Sequence, residues 1–371
     1  MKYRRLPIEI ESPEERGYGS IRCNLTESST TDRSLQSLNL ELSDLLLAYG
    51  DHRGEPALRE LIAAGAPNVP IDHVVTAPGA AAALFFVATA LLERDDHAIV
   101  AHTNYATNFE TPRLIGADLD LLRLNFDDQY QLDTDELQRL VRPGHTKLIS
   151  ITYPHNPTGA MIDRPILDRV IEIADSCGAH LLVDETYRDM TYGTPLPAVA
   201  GLYQRGISVS SLSKTFGIPG IRVGWAMTQD PVLAESLLAA KEQIVICGSV
   251  LDEAVATAVL QRSATLLPEI RARLAERKQQ VSAWMAAQRH FEWVEPQGGA
   301  VCFPRLVEGV SPTVFRTHLN EVEGTYVGEG HWFEQDARSF RLGFGWPADD
   351  ELAEGLAALS RSAAHAASFG E

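Results

Sequence analysis

The feature that most constrains the fold is an alternation of short apolar runs with amphipathic helical patterns, which begins near residue 73. Helical stretches such as Ala82–Leu92, Asp133–Val141 and Ile166–Cys177 separate several of the runs. This alternation is typical of a mostly parallel sheet with helices on both faces. In such sheets ligands bind beyond the carboxyl ends of the strands. The candidate strands are His73–Thr76, His97–Ala101, Asp118–Leu124, Lys147–Tyr153, His180–Asp184, Gly206–Ser210 and Val223–Met227.

The length of the chain, 371 residues, exceeds the usual size of one domain. A long helical pattern, Pro268–Gln288, leads away from the alternating region, and Phe291–Ser368 mixes short strands with a terminal helix. We therefore predict a large domain over residues 41–285 and a smaller α+β domain over residues 286–371. Residues 1–40 either cover the active site or join the small domain.

Charge and composition exclude several classes of protein. The net charge of −18 repels nucleic acid and anionic membranes. No apolar run follows the N-terminal arginines, so no secretory signal is predicted, and the longest apolar stretch, Gly79–Leu92, is too short to span a bilayer. The four cysteines lie far apart, which argues against a zinc site and a disulfide framework. We expect a soluble cytoplasmic protein that binds neither a metal, nor nucleic acid, nor a membrane.

Lys214 stands out among the five lysines of the chain. It follows a predicted strand, whereas the others lie at the terminus, at the start of a strand, or in helical patterns with charged neighbours. Ser211, Ser213 and Arg222 offer hydroxyls and a fixed positive charge suited to a phosphate. An amine held near a bound aldehyde can form a Schiff base. The pattern indicates this chemistry, with a surface lysine in a turn as the alternative.

Other strand ends carry weaker signals. Asp184 ends a strand and is placed to act on a ligand, unless it only caps the next turn. Asn156, in Asn-Pro-Thr-Gly, by itself indicates a turn. Ala80 and Ala81 join a strand to a helix, and free amides at a helix start can bind an anion. Tyr105, after another strand, could stack on a planar ring or pack in the core.

Together these segments resemble the class I and II aminotransferases, which are pyridoxal 5'-phosphate (PLP) enzymes of fold type I. The resemblance covers roughly residues 40–350 and is most specific in Ser211-x-Ser213-Lys214 with Arg222-Val223-Gly224-Trp225. Asn156-Pro157-Thr158-Gly159, then Asp184 and Tyr187, follow in the order of the family. The resemblance implies the PLP-dependent transferase fold type I, an α/β fold whose mostly parallel sheet is sandwiched by helices, plus a smaller α+β domain.

The resemblance also implies a role for each site residue. Lys214 holds PLP as an internal aldimine and, once freed, moves a proton between the substrate Cα and the cofactor. Asp184 pairs with the pyridinium nitrogen, and Tyr187 and Asn156 hydrogen-bond the phenolic oxygen. Arg341 clamps the α-carboxylate of the substrate in a two-pronged pair, and Asn156 also contacts the substrate. The other cofactor contacts come from Tyr105, the amides of Ala80 and Ala81, Ser211, Ser213, Arg222, and Tyr49 from the neighbouring subunit, which implies a homodimer with shared active sites.

Three features depart from the family pattern. Ala81 stands where Ser, Thr or Gln is usual, the segment Cys23–Thr30 lacks the common glycine-rich entry, and Cys247-Gly248-Ser249 is unusual. Several other segments resemble the capreomycidine synthases, which use this fold for elimination and cyclisation of a hydroxylated arginine.

The leading prediction for function is a PLP-dependent aminotransferase that acts on a free α-amino acid. The alternative is a PLP-dependent lyase or cyclase that acts on a guanidino or hydroxylated amino acid. A third alternative is a regulator that only senses a ligand. That class carries a DNA-binding module, and the residues before the core show neither its helices nor a basic balance.

Overall fold

The computed structural model describes residues 2–369. Its strands are β1 (Cys23–Leu25), β2 (Val74–Ala77), β3 (His97–His102), β4 (Asp118–Arg123), β5 (Thr146–Thr152), β6 (His180–Asp184), β7 (Gly206–Ser211), β8 (Gly224–Thr228), β9 (Phe291–Glu292), β10 (Val301–Cys302), β11 (Arg305–Leu306), β12 (Thr325–Glu329) and β13 (Phe340–Gly343). Its α-helices are α1 (Pro7–Ile10), α2 (Pro13–Arg16), α3 (Leu35–Leu38), α4 (Pro56–Ala63), α5 (Gly79–Leu91), α6 (Thr107–Ile115), α7 (Thr134–Leu140), α8 (Arg164–Cys177), α9 (Pro231–Ile244), α10 (Val250–Gln261), α11 (Ser263–Ala286), α12 (Pro312–Thr317) and α13 (Asp349–Ala367).

The larger sheet has the order β2-β8-β7-β6-β5-β3-β4. Strands β3 to β7 run parallel to one another, and β8 runs antiparallel to both of its neighbours. The seven predicted strands are all present, and their ends agree with the prediction to within one residue. The predicted α/β class with a mostly parallel sheet is therefore confirmed.

Alternate side chains of the central strands pack against helices on opposite faces of this sheet. Ile149 and Val183 belong to a core shared with α7 and α8. Leu148 and Leu182 belong to a second core, shared with α5 and α9. Both faces are apolar because successive residues of a strand point in opposite directions, so a strand covered on both sides is hydrophobic throughout.

A second sheet, of order β1-β12-β13-β10, joins the two ends of the chain. Strand β1 runs parallel to β12, and Leu25 packs in one core with Leu342 of β13 and Leu356 of α13. Helix α11 connects the two regions and begins at Ser263, ahead of the predicted start at Pro268. The domain boundaries at residues 40 and 285 stay predictions.

Among residues 2–369, none of the helices combines the length and the apolar character that a membrane crossing requires.

Candidate active site

The carboxyl ends of β5, β6 and β7 bring three predicted site residues to one edge of the large sheet. Asp184, the last residue of β6, is level with Thr152 of β5 and Val209 of β7. Asn156 follows β5 closely, and Lys214 follows β7. These positions come from a parallel register, which places equivalent strand ends side by side. The structure thus brings together three side chains that come at or after the ends of different strands in the sequence.

The predicted anion site forms where β2 and β7 end and β8 begins. Ala77 and Ser211 both pair with Gly224, so the start of α5 lies near the end of β7. Gly79 has a φ of +83°, and a Cβ there would lie 2.6 Å from Nη2 of Arg222. The Arg222 guanidinium therefore packs against the start of α5.

The backbone amides at this helix start have no partner within the helix, because the first turn of an α-helix leaves its N–H groups free. Ala80 and Ala81 carry two of these amides. Ser211 and Ser213 are buried nearby, at the end of β7. Free amides, hydroxyls and a guanidinium together favour an anion such as a phosphate.

Asp184 is the buried carboxylate of the site, with 4 % of its surface exposed. Its Oδ1 accepts hydrogen bonds from the Thr186 amide (3.1 Å) and from Oγ1 of Thr186 (2.6 Å). Burial raises the pKa of Asp184, and the Thr186 bonds oppose that shift. The negative charge of Asp184 in turn contributes to the raised pKa values of Tyr105 and Tyr187. The three side chains therefore lie close enough to act on one another.

Arg341 reaches the site from β13 of the second sheet. It is 6 % exposed; its Nη1 donates to Oδ1 of Asn156 (3.0 Å), and its Nη2 donates to the Thr26 carbonyl (2.7 Å). Its Nε is buried and has no hydrogen-bond partner among the described residues. A buried donor without a partner is costly in an otherwise satisfied interior. This one indicates that the guanidinium can accept a further, anionic partner.

Lys214, Arg341, Tyr105 and Trp332 line one cavity of about 650 Å³. Burial lowers the pKa of Lys214, the nearby charge of Glu27 opposes the shift, and that of Arg341 adds to it. A lowered pKa raises the fraction of uncharged amine, which is the nucleophilic form. A larger cavity, of about 950 Å³, lies near Trp293 and contains none of the predicted site residues.

Residues 26–30 pass through the site, and their individual contacts were not predicted from the sequence. Tyr187 donates its hydroxyl to Oγ of Ser28 (3.0 Å), and the Thr30 amide donates to the Lys214 carbonyl (2.9 Å). Burial raises the pKa of Tyr187 to about 12, so its phenol is protonated and acts as a donor at neutral pH. No local pattern marks these contacts, because the partners are far apart in the chain.

Two of the predicted site residues are exposed at the surface of this chain. Tyr49 is 85 % exposed, in a loop before α4. Arg222 is also exposed, although it packs on the start of α5. Both positions are open on this chain.

The arrangement fits a phosphate-bearing aldehyde with an aromatic nitrogen. Lys214 supplies an amine of lowered pKa, Asp184 supplies a buried carboxylate for a ring nitrogen, and the start of α5 with Arg222 supplies the anion site. Glycine at position 79 leaves the space that a Cβ would take from Arg222. The roles of the individual residues stay predictions.

Comparison with known proteins agrees with this fit. The family model "Aminotransferase class I and II" matches residues 24–359. Capreomycidine synthase from Streptomyces vinaceus is 30% identical over 86% of this chain and 82% of its own. A PLP-dependent aminotransferase from Streptococcus suis superposes with a TM-score of 0.92 at 28% identity, over 99% of both chains. A PLP-dependent cyclase superposes with a TM-score of 0.88 at 26% identity, over 98% of this chain and 99% of its own.

Proposed function

This chain belongs to the class I and II aminotransferases, a family of PLP-dependent enzymes, and we propose that it transfers the amino group of a free α-amino acid with Lys214 as the cofactor lysine. The observation that carries the proposal is that Lys214 and Arg341 line the same cavity. Lys214 offers an amine near the sheet edge, and Arg341 offers a buried guanidinium with an unused donor. An α-amino acid carries both matching groups on one carbon: an amino group that can take the place of the Lys214 amine on an aldehyde, and a carboxylate that can pair with the Arg341 guanidinium.

The remaining roles follow from the same geometry. Bound PLP supplies an aldehyde that captures amines and a ring that withdraws electrons from the substrate Cα. Asp184 would hold the ring nitrogen, and Tyr187 and Asn156 would donate to the phenolic oxygen. Nζ of Lys214 would take the proton from the substrate Cα and deliver it to the carbon of the cofactor's aldehyde group. Arg341 would bind the α-carboxylate of the substrate. Its Nη1 lies 3.0 Å from Oδ1 of Asn156, so the guanidinium is next to a residue proposed to contact the cofactor.

A second candidate is elimination and cyclisation of the substrate side chain. Its support is the similarity to capreomycidine synthase and to the PLP-dependent cyclase described above. Both reactions start with removal of the Cα proton, so the site residues named here serve either of them. We place transamination first because it is the reaction for which the matching family is named. A cytoplasmic location stays a prediction of the sequence.

The two reactions can be separated by a single-turnover experiment. Holoenzyme is mixed with an excess of each of the common L-amino acids, without a keto-acid acceptor. A transaminase should stop after one turnover and lose its near-visible absorbance, because the amino group stays on the enzyme until an acceptor arrives. Stopped-flow absorbance and mass spectrometry of the products give the result.

Addition of pyruvate or 2-oxoglutarate provides the control, since it should restart turnover. Sustained turnover without an acceptor, with the absorbance band restored and a product that keeps its α-nitrogen, would instead support the cyclase.

We also propose that the enzyme is a homodimer with shared active sites. Apolar side chains are exposed around Tyr49: Leu46 is 80 % and Leu47 is 77 % exposed. The same loop reaches the end of α9, where His52 contacts Glu242 at 2.7 Å and Ile244 is 54 % exposed. An exposed apolar patch of this kind is typical of an interaction surface. It would place Tyr49 of one subunit near the anion site of the other.

Hybrid dimers test the shared site. We expect light scattering to give twice the chain mass of 40.7 kDa. Refolding Tyr49→Ala together with Lys214→Ala should give more activity than the average of the two parents, because the hybrid contains one site with both residues intact.

Lys214→Ala with Asp184→Asn is the matched control, since both residues belong to one chain's site and no hybrid site is complete. Equal behaviour of the two mixtures would show that Tyr49 does not act across the interface.

A further inference from the structure

The cavity around Lys214 carries an excess of unpaired negative charge. Arg5 pairs with Glu15 at 3.0 Å, and Arg4 lies 3.6 Å from Glu110. Within residues 2–369, no lysine or arginine forms an ion pair with the other three carboxylates that line the cavity, which belong to Glu9, Glu14 and Glu27. The carboxylates that line the cavity are Glu9, Glu14, Glu15 and Glu27.

Binding of the cofactor and of the substrate α-carboxylate would increase this excess of unpaired negative charge. Lys214 and Arg341 are the other cations of the lining, and the proposed function assigns them to the cofactor and to the α-carboxylate. The side chain of the substrate then faces Glu14 and Glu27, whose charges act on both cations. A neutral or acidic side chain would leave these carboxylates without a positively charged partner, whereas a cationic side chain would pair with them.

Glu27 is held in place from two sides. Its backbone packs directly against Gly343, where a Cβ would collide with the Glu27 carbonyl. Its Oε1 accepts a hydrogen bond from the Tyr18 hydroxyl at 3.2 Å. Glu14 also acts on Tyr18, because the charges of both glutamates contribute to its raised pKa. The two carboxylates therefore converge on one part of the cavity.

Arg341 provides an independent sign that a ligand enters this cavity. Its side chain is more than nine-tenths buried, lines the cavity and keeps Nε without a partner among the described residues. We expect an anionic group of the ligand at Nε of Arg341, while the carboxylates of Glu14 and Glu27 line the same cavity. A zwitterion with an additional positive charge satisfies both, because its carboxylate and its side chain have opposite signs.

We propose that Glu14 and Glu27 bind a cationic side chain, guanidinium or ammonium, of the α-amino acid substrate. This inference rests on the proposed function and adds the substrate class to it. Glu14 and Glu27 act here as specificity-determining residues, separate from those that hold the cofactor.

The test measures binding to the holoenzyme through the change in its near-visible absorbance. L-arginine and L-lysine are compared with L-citrulline, L-norleucine and L-glutamate, of which citrulline is the neutral counterpart of arginine. We expect arginine or lysine to bind at least about tenfold more tightly than its neutral counterpart. Glu27→Gln and Glu14→Gln should each reduce that preference by about tenfold and leave citrulline binding unchanged.

Glu15→Gln is the matched control, because Glu15 lines the same cavity but is already paired with Arg5. It should change the preference by less than about threefold, as expected for an exposed ion pair. Equal or tighter binding of neutral or acidic amino acids, or a preference unaffected by Glu27→Gln and Glu14→Gln, would overturn the inference while the proposed function stands. Absence of any absorbance change with every amino acid would overturn the proposed function, and this inference with it.

Discussion

Lys214→Ala is expected to reduce turnover by at least about 10⁴-fold, because the side chain that we propose binds the cofactor would also move the substrate proton. Borohydride should fix the cofactor on the peptide that contains Lys214 in the wild-type protein and on no peptide in the variant. PLP can still bind the variant through its phosphate, since Arg222 and the start of α5 are unchanged. Peptide mass spectrometry after reduction gives the measurement.

Lys147→Ala is the matched control for this experiment. Lys147 is exposed at the start of β5, and its removal should leave both labelling and turnover as in the wild type. A cofactor label on Lys147 or on Lys241, in place of Lys214, would show that the cofactor lysine was wrongly identified. Loss of activity in Lys214→Ala with normal labelling elsewhere would lead to the same conclusion.

The strands could be predicted because their signal is local. Each strand of the large sheet is a short apolar run, and the cores on both faces require apolar residues at successive positions. The antiparallel direction of β8 could not be predicted, since periodicity does not give the direction of a strand. The place of β1 beside β12 was also out of reach, because the pairing joins Cys23 to Thr325 across most of the chain.

Lys241 shows where sequence reasoning about the site falls short. Lys241 lies in a helical pattern with charged neighbours, a setting typical of a surface lysine, yet it is fully buried. Its Nζ donates to Oγ1 of Thr76 at 2.9 Å, and Thr76 donates to Oε1 of Glu253 at 2.6 Å. A buried amine is tolerated when it is paired and hydrogen-bonded. Those partners come from β2 and α10, and no pattern within α9 could reveal them.

Asp184 and Glu185 are consecutive carboxylates, and only Asp184 was predicted as a site residue, from its place at the end of a strand. Both are buried, but their side chains have different partners. The Glu185 carboxylate accepts from the Val199 amide (2.8 Å) and from Oγ of Ser208 (2.7 Å), so its bonds are to the scaffold. Asp184 acts on Tyr105 and Tyr187, which belong to the site. Successive residues at the end of an extended strand point to opposite sides, which explains why only Asp184 of the two faces the predicted site.

Asp184→Asn should therefore reduce the rate of Cα deprotonation by about 10²- to 10³-fold, with the fold intact. The physical reason is that a carboxylate stabilises a positive charge on the ring nitrogen, and an amide of the same shape does not. The rate can be followed by NMR as the exchange of the substrate Cα proton with deuterium, and circular dichroism checks the fold. Glu185→Gln is the control: it should lower the free energy of unfolding but leave the exchange rate of the folded enzyme within about threefold of wild type, or about 0.7 kcal/mol. An Asp184→Asn rate inside that same threefold range would mean that the aspartate only caps the turn at Thr186, and the role of holding the ring nitrogen would have to be assigned to another residue.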